Sequence, residues 1–320
     1  MNSLPLLGGS FPAPAALDGL ILQPEDCLWP GLTLPILSNG EFAALRAALG
    51  QRVHFHDGVW WEQFRPLFCL PCSPLAMIPT NRERPAPHHS CLGFTHLVPP
   101  GYPSNGSRQM IVAQNIPRYS IATLSRKRRT IVRRALSNLQ VRPIKRLDDL
   151  LTDGYNVYVS WHRRNGWGRY RASRAKYAAW ISRAYSQPKR LALGAFHRNG
   201  LVAFCLMQAV GSVADPTFIA SHTLALPLFP NDALFHAILT IARQSPGIES
   251  ADFGPVSAKP TLNDFKLHYA SLKTFPSYTW INPLVRPFIA RWIQRRYPWL
   301  HPSGPRKSAS SKTAPSWPSS

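Results

Sequence analysis

The sequence predicts an α+β fold, and the signals are clearest between residues 191 and 280. Two apolar runs, Leu191–Phe196 and Leu201–Val210, flank His197–Gly200, and an Asn-Gly pair between apolar runs is typical of a β-hairpin. Apolar residues then recur at helical spacing in Ala233–Arg243. Together with the elements described in the next paragraph, these give the order strand, strand, strand, helix, strand, helix, strand. This order is typical of a mixed α+β layer.

The other elements of this stretch are predicted from local signals. Pro216 is expected to open the third strand, because proline cannot donate a ladder hydrogen bond within a strand. Asn231 or Asp232 is expected to cap the helix that begins at Ala233. The expected elements after the hairpin are strands at Thr217–Ser221, Ile248–Phe253 and Thr274–Trp280 and a helix at Thr261–Tyr269.

The first 119 residues carry weaker signals, which predict a smaller α+β unit. A helix is expected at Glu41–Leu49, with Asn39 as its N-cap and Gly50 as its stop signal. Residues 81–107 are rich in Pro, Gly, Ser and His and are expected to form a loop. Strands are expected at Val53–Phe55, Val59–Trp61, within Leu67–Ile78, and at Met110–Gln114.

The net charge of +22 lies in two blocks of the sequence. Residues 126–190 hold 18 Lys and Arg against three Asp, and residues 286–312 hold seven Lys and Arg and no acid. Segregated charge builds a local positive potential, which favours RNA, a phosphorylated donor or an anionic membrane face as the partner. A basic surface that serves solubility explains the same composition, so the charge alone leaves both interpretations open.

A basic helix is expected at Leu124–Leu136, with Thr123 or Ser125 as its N-cap. Six cations, of which five are arginines, occupy the positions outside its apolar stripe. Like charges four residues apart destabilise a helix, and arginine suits bidentate phosphate contacts, so this pattern predicts an anionic partner. Two further helices are expected at Leu147–His162 and Ser173–Tyr185.

These elements resemble the C-terminal half of the FemAB-type acyltransferases of the GNAT superfamily, whose best-known members add amino acids to peptidoglycan precursor peptides. The resemblance covers residues 120–280 and rests on the order of four motifs: the basic helix, the strand ending in Ser221, Asp252-Phe253-Gly254, and Leu262-x-x-Phe265-Lys266. It implies an α+β protein of two GNAT-like (acyl-CoA N-acyltransferase-like) units, of which the first is short and the second well patterned.

The resemblance and the local composition together predict how the chain is divided. The expected segments are a loosely ordered leader at 1–22, a first GNAT-like unit at 23–119, a second at 120–284, a basic amphipathic helix at 285–301 and a disordered tail at 302–320. The helix contains a basic amphipathic stretch at 286–297, which suits docking on the core, contact with an anionic membrane surface, or RNA.

The resemblance also implies an activity and its residues. An acyltransferase of this type moves an acyl or aminoacyl group to an amine acceptor, and Lys266 is implied to stabilise charge at the reaction centre. His222 follows the third strand and is expected to accept a proton near pH 7, and Asp252 is expected to orient the end of its strand. The implied phosphate ligands are Arg126, Lys127, Arg128, Arg129 and Arg133.

The acyl donor is expected to be an acyl-CoA or an aminoacyl-tRNA, with no permanently bound cofactor. The usual acetyl-CoA phosphate loop, Arg/Gln-x-x-Gly-x-Gly/Ala, is missing before Ala233, where Leu224–Pro230 contains no glycine. The FemAB type tolerates this departure, because its donor is an aminoacyl-tRNA and its acceptor a cell-wall precursor. The alternative function is a non-catalytic RNA-binding or scaffold protein on a degenerate GNAT fold.

Cysteine usage and hydropathy predict a cytoplasmic protein without a metal site. The chain has five cysteines, an odd number that argues little for disulfides. Cys69-Leu-Pro-Cys72 has the spacing of half a zinc site, but the apolar run around it favours buried free thiols. No run approaches the roughly 18 apolar residues of a spanning helix, and the N-terminus lacks the basic start of a signal peptide.

Overall fold

A computed structural model describes residues 22–65, 67–80, 84–165 and 173–284. Within these residues the chain has the α+β fold that the sequence predicts. Residues 1–21 of the expected leader, the basic amphipathic helix at 285–301 and the tail at 302–320 lie outside the described residues. No helix in the described part is long and apolar enough to cross a lipid bilayer.

The elements have the following bounds. The strands are β1 (Ile36–Leu37), β2 (Val53–His56), β3 (Val59–Arg65), β4 (Phe68–Pro71), β5 (Gly93–Leu97), β6 (Gly106–Gln114), β7 (Gln140–Pro143), β8 (Leu191–His197), β9 (Gly200–Val210), β10 (Val213–Ser221), β11 (Ser250–Pro255) and β12 (Ser271–Ile281). The α-helices are α1 (Asn39–Ala48), α2 (Arg126–Asn138), α3 (Leu147–Asp149), α4 (Tyr155–Arg164), α5 (Arg174–Tyr185), α6 (Pro230–Gln244) and α7 (Pro260–Lys266). A π-helical segment, Leu150–Gly154, joins α3 to α4.

The described chain forms two compact units. The larger holds residues 22–51 and 111–272, and the smaller holds residues 52–110 and 273–284. This division differs from the predicted boundary after residue 119, because residues 22–51 pack with the later part of the chain. The buried carboxylate of Asp26 accepts hydrogen bonds from Ser120 Oγ (2.7 Å) and the Ile121 amide (2.8 Å). The Leu34 amide donates to Ser245 Oγ at 2.7 Å.

The strands of the larger unit run in the order β6-β11-β10-β9-β8-β7, and β1 pairs with the end of β9. Because successive side chains of a strand point to opposite faces, β9 contributes to two cores. Its Ala203, Cys205 and Met207 pack in the core that contains α6. Its Phe204 and Leu206 pack in the core that contains residues of α4 and α5.

The predicted hairpin is confirmed and has the expected turn. β8 and β9 are antiparallel with His197 opposite Gly200. Arg198 and Asn199 between them have φ of 47° and 69°, the left-handed values that a type I′ turn requires at both central positions. The predicted helices at α2, α5 and α6 are also present, and Ser125, one of the two predicted caps, accepts a hydrogen bond from the Arg128 amide.

Two predicted N-caps are wrong. Ser38 caps α1 in place of Asn39, because its hydroxyl accepts from the Glu41 amide while Glu41 accepts from the Ser38 amide. The cap of α6 is Phe229, which has a left-handed φ of 57° and no side-chain cap bond. Asp232 accepts hydrogen bonds from other elements instead, as described below.

The predicted start of the third strand is also wrong. β10 begins at Val213, and Pro216 lies inside it. The ladder with β9 shifts register between Asp215 and Phe218, so Pro216 falls in a β-bulge. A bulge residue has no ladder partner, and therefore the missing N–H of proline leaves no hydrogen bond unmade.

The strands of the smaller unit run in the order β2-β3-β4-β5-β12. Its core contains Trp61, Cys69, Ile78 and Phe94. Strand β5 lies inside the stretch predicted to be a loop, and all five of its residues are buried. The prediction failed because glycines, prolines and histidines surround these five residues in sequence. The five residues pair with β4 on one side and with Ser277–Ile281 of β12 on the other, and neither partner is adjacent in sequence.

The cysteines of the described chain are free. Burial raises the pKa of the Cys69 thiol to about 12, and its Sγ lies 3.3 Å from the His89 carbonyl oxygen. No group of three or more His, Cys, Asp and Glu side chains within the described residues could hold a metal ion. Cys69 and Cys72 are buried, as the apolar interpretation of this run predicts.

Candidate active site

The site centres on two parallel strands of the larger unit that separate. β10 and β11 pair at Val213–Ser250 and Ala214–Ala251. Beyond these pairs β10 continues along β9 as far as Ser221, while β11 runs on to Pro255. We call the opening between Asp215–Ser221 and Asp252–Pro255 the fork. Backbone groups that face a gap between strands require another partner, so such an opening is suited to a ligand.

Local features of both strands explain the fork. The bulge at Asp215–Phe218 bends β10 where the two strands part. On β11, Asp252 Oδ1 accepts a hydrogen bond from the Gly254 amide at 2.8 Å. Gly254 has φ of +86°, a left-handed conformation that favours glycine. The Asp-Phe-Gly motif therefore forms a turn at the point where the strand leaves its neighbour.

Two carboxylates lie side by side at the base of the fork. Asp215 and Asp252 directly follow the last paired residues, Ala214 and Ala251, which belong to the core under α6. Because side chains alternate along a strand, both aspartates are on the other face of the sheet. Burial and the neighbouring carboxylate of Asp252 raise the pKa of Asp215 to about 6. Gln208 Nε2 donates to Asp215 Oδ2 at 2.6 Å and opposes this rise.

Lys266, the predicted charge stabiliser, reaches the same region. Its Nζ donates to the Phe253 carbonyl oxygen at 2.6 Å. Burial lowers the pKa of Lys266, and the nearby carboxylate of Asp252 opposes the shift. The adjacent Phe265 packs against Phe235 of α6 with ring centroids 4.9 Å apart, and this packing positions α7. The structure thus brings Lys266 and Asp252 together and adds Asp215, which the sequence analysis did not single out.

His222 lies at the outer end of the fork. Its backbone amide donates to the Val202 carbonyl oxygen (2.8 Å), and its Nδ1 accepts from the Leu224 amide (3.3 Å). It lines an open cavity of about 860 Å³ together with Ser160, Arg164 and other residues of α4. Within the described residues, His222 shares no hydrogen bond with Lys266 or Asp252, the other two predicted catalytic residues.

Arg164, the last residue of α4, is fixed at this outer end. Its Nη1 donates to the Ser221 carbonyl oxygen (3.1 Å) and to Thr223 Oγ1 (3.2 Å), and its Nη2 donates to Ser221 Oγ (3.1 Å). Ser160, one turn earlier on the same helix face, accepts from the Thr223 amide at 2.8 Å. Burial of its guanidinium end lowers the pKa of Arg164, although the residue as a whole is exposed.

Three of the five predicted phosphate ligands form hydrogen bonds or ion pairs with other residues of the protein. Arg128 forms an ion pair with Asp232, and only 12% of its side chain is exposed. Arg129 Nη1 donates to the carbonyl oxygens of Ala122 (3.0 Å) and Leu124 (2.9 Å). Arg133 Nε donates to a Glu25 carboxylate oxygen at 2.7 Å. Arg126 and Lys127 are exposed at the start of α2. The predicted role of all five in phosphate binding stays a prediction.

Side chains of the protein itself bind to the first turn of α6. Asp232 lies in this turn with 4% of its surface exposed, and it accepts from Arg128 and from Tyr269 Oη. Pro227 and Pro230 carry no amide hydrogen, and the intervening Phe229 amide donates to the Leu226 carbonyl oxygen. In other proteins the backbone amides of a helix's first turn bind phosphate, but in α6 the Asp232 carboxylate already lies close to these amides.

Comparison with known proteins supports the fold. No protein-family model matches the chain, and no curated protein sequence matches it significantly. The crystal structure of FemX superposes with a TM-score of 0.55 at 12% sequence identity, covering 82% of this chain and 97% of that chain. The C-terminal domain of a putative lysylphosphatidylglycerol synthetase from Agrobacterium fabrum superposes with a TM-score of 0.51 at 11% identity, covering 79% and 91%. These superpositions show that the chain shares the fold of FemX and of the lysylphosphatidylglycerol synthetase domain.

Proposed function

We propose that the protein is an acyltransferase that moves an acyl or aminoacyl group from an acyl-CoA or an aminoacyl-tRNA to an amine acceptor. The observation that supports this function best is the fork, with Lys266, Asp252 and Asp215 at its base. Catalysis of acyl transfer depends largely on placement of the two reactants and on stabilisation of the charge that develops on the carbonyl oxygen. Backbone groups at the edges of diverging strands are suited to hold the donor.

In this proposal the acceptor amine attacks the donor carbonyl carbon, a C–N bond forms, and the bond to the leaving oxygen or sulfur breaks. The amine must lose one proton. Asp215 accepts it, because a carboxylate with a pKa near 6 is ionised at pH 7 and is a better base than an ordinary aspartate. The leaving oxygen or sulfur gains a proton from solvent, and the Lys266 ammonium stabilises the negative charge that builds there. The Asp252 carboxylate interacts electrostatically with both Asp215 and Lys266.

Of the two donors, the first turn of α6 favours the aminoacyl ester. A CoA diphosphate placed there meets the Asp232 carboxylate and few free amides, since Pro227 and Pro230 have none. Arg128 offsets the Asp232 charge internally and is not available to a second anion. The exposed cations at the start of α2 are compatible with the backbone of an RNA. A cell-wall precursor is one candidate acceptor.

Donor-dependent transfer by the purified full-length protein tests the proposal. We would incubate it with acetyl-CoA, or with a charged tRNA pool, and a panel of primary amines, and would detect acylated products by mass spectrometry. Product that requires both donor and protein is the expected result, with tRNA the better donor. A properly folded protein that transfers nothing from any donor, yet binds tRNA, would support the non-catalytic alternative.

A further inference from the structure

Several cations of the larger unit are paired with a carboxylate, among them Arg128, Arg133 and Lys189. At the outer end of the fork the partners are neutral. Arg164 donates to Ser221 and Thr223, which are uncharged. These bonds fix the position of the guanidinium without cancelling its charge.

Among the described residues, no acid around Arg164 offsets this charge. Burial alone lowers its pKa, with no carboxylate raising it. The described lining of the cavity beside it has a second guanidinium, from Arg163, and the hydroxyls of Ser160 and Thr223, but no Asp or Glu. A charged group that is positioned, partly desolvated and lacking a counter-ion is a candidate ligand site.

The hydrogen-bond donors and the apolar side chains that line the cavity indicate the chemistry of its ligand. Guanidinium groups bind phosphate oxygens bidentately, and the cavity is lined by two of them, from Arg163 and Arg164, whose donors a phosphate can accept in greater number than a carboxylate. Leu224, which is 84% exposed, lines the same cavity, as does Val159 of α4. An apolar side chain this exposed beside a polar site is suited to contact an organic group.

We propose that the cavity lined by Ser160, Arg163, Arg164, His222, Thr223 and Leu224 binds a phosphate ester, with the phosphate on Arg164 and the apolar part of the ester on Leu224. This inference concerns binding alone and does not require that the protein transfers acyl groups. Its failure and the failure of the proposed function are therefore distinguishable.

Isothermal titration calorimetry of the full-length protein with hexyl phosphate, inorganic phosphate and hexanoate, at equal ionic strength, tests the site. Hexyl phosphate is expected to bind most tightly of the three. Arg164→Gln should weaken it about tenfold or more, as expected for the loss of a charge-assisted hydrogen bond. Arg183→Gln is the matched control, because Arg183 is exposed and donates to a neutral acceptor, the Ala179 carbonyl oxygen. It removes the same charge and should change the affinity by no more than about twofold.

Further variants separate the two halves of the ligand. Leu224→Ser should weaken hexyl phosphate and leave inorganic phosphate unchanged, and thermal melting should confirm that each variant is folded. Equal losses in the Arg164 and Arg183 variants, or no binding of hexyl phosphate by the parent, would overturn the site. Equal affinity for hexyl phosphate and inorganic phosphate would overturn the role of Leu224, and equal affinity for hexanoate would overturn the assignment to phosphate.

Discussion

Arg128 and Asp232 form a buried ion pair that joins α2 to the first turn of α6. Tyr269 donates to the same Asp232 oxygen at 2.6 Å, and the Arg128 guanidinium lies 5.8 Å from the centroids of both the Phe265 and the Tyr269 rings. The pair thus connects three segments of the larger unit. Arginine at this position supports the fold whether or not α2 also binds a ligand.

Removing one partner of this pair should destabilise the protein strongly. Arg128→Gln leaves the Asp232 carboxylate buried without its counter-charge, and the free energy of unfolding should fall by about 3–5 kcal/mol. Arg126→Gln, on an exposed position of the same helix, should change it by no more than about 0.5 kcal/mol. Urea denaturation of both variants measures the difference. Similar losses would mean that the ion pair does not stabilise the fold.

The exposed start of α2 is the appropriate place to test RNA binding. Arg126→Gln with Lys127→Gln should weaken tRNA binding and reduce the slope of log affinity against log salt by about one to two units, since each lost phosphate contact removes about 0.7–0.9. Filter binding at several salt concentrations measures this slope. Replacing Arg174 and Lys176, exposed on α5, is the control for net charge. An equal effect of the two pairs would indicate that only net charge matters.

Lys266 should affect the chemical step more than the fold. Lys266→Met keeps most of the aliphatic stem and loses the charge, and should slow single-turnover acyl transfer by about 10²–10³-fold, or about 2.7–4 kcal/mol. Lys266→Arg should restore only part of the rate, because the two heads differ in shape. A Met variant that melts normally and keeps a rate within about threefold of the parent, far short of that range, would exclude this role.

Asp215 should make stability depend on pH in a defined window. Its folded-state pKa, about 6, lies above the ordinary value of 3.8, so the folded protein retains a proton there that the unfolded chain releases. Stability contributed by this proton is present at low pH and is lost as pH rises from about 4 to 6. Asp215→Asn lacks this loss and should gain stability relative to the parent across that interval. Chemical denaturation of both proteins at pH 4, 5, 6 and 7 measures the gain, and a constant difference would contradict the raised pKa.

The clustered histidines of the smaller unit predict the opposite dependence of stability on pH. The His54 and His89 rings lie 4.2 Å apart and the His88 and His89 rings 4.0 Å apart. Burial, with the nearby His89, lowers the pKa of His54 from 6.5 to about 4. Stability is therefore present above pH 6.5 and is lost as pH falls toward 4. His54→Phe keeps an aromatic ring without a charge and should lose less stability between pH 7 and pH 5. Identical pH profiles would exclude His54 as a source of the acid sensitivity.

Local signals predicted the elements that local physics determines. The Asn-Gly hairpin between β8 and β9, the Ser125 cap and the amphipathic pattern of α6 are each decided within a few residues. Features that depend on distant partners were missed. Asp232 has the sequence position of a helix cap, but Arg128 and Tyr269, 104 and 37 residues away, bind its carboxylate instead.

The candidate site was likewise predictable only where its residues belong to motifs that are contiguous in sequence. The Leu262-x-x-Phe265-Lys266 motif located Lys266 and the Asp-Phe-Gly motif located Asp252, because both are contiguous in sequence. Asp215 was passed over because its neighbour Pro216 suggested the start of a strand. Its position beside Asp252 depends on the pairing of β10 with β11, which no spacing within either strand reveals. An aspartate next to a proline within an apolar strand was the only local sign of the bulge.

The buried carboxylate of Asp26 has a consequence for the order in which the chain is made. This residue leaves the ribosome before its partners. Ser120 and Ile121 follow about a hundred residues later, and Arg243, whose Nη2 donates to the Asp26 carbonyl oxygen at 2.8 Å, follows by 217 residues. Contacts this far apart in sequence slow folding. The larger unit can therefore close only after α6 has been synthesised. Until then the nascent chain carries Asp26 without all of its partners, a state in which chaperone binding would have the most effect.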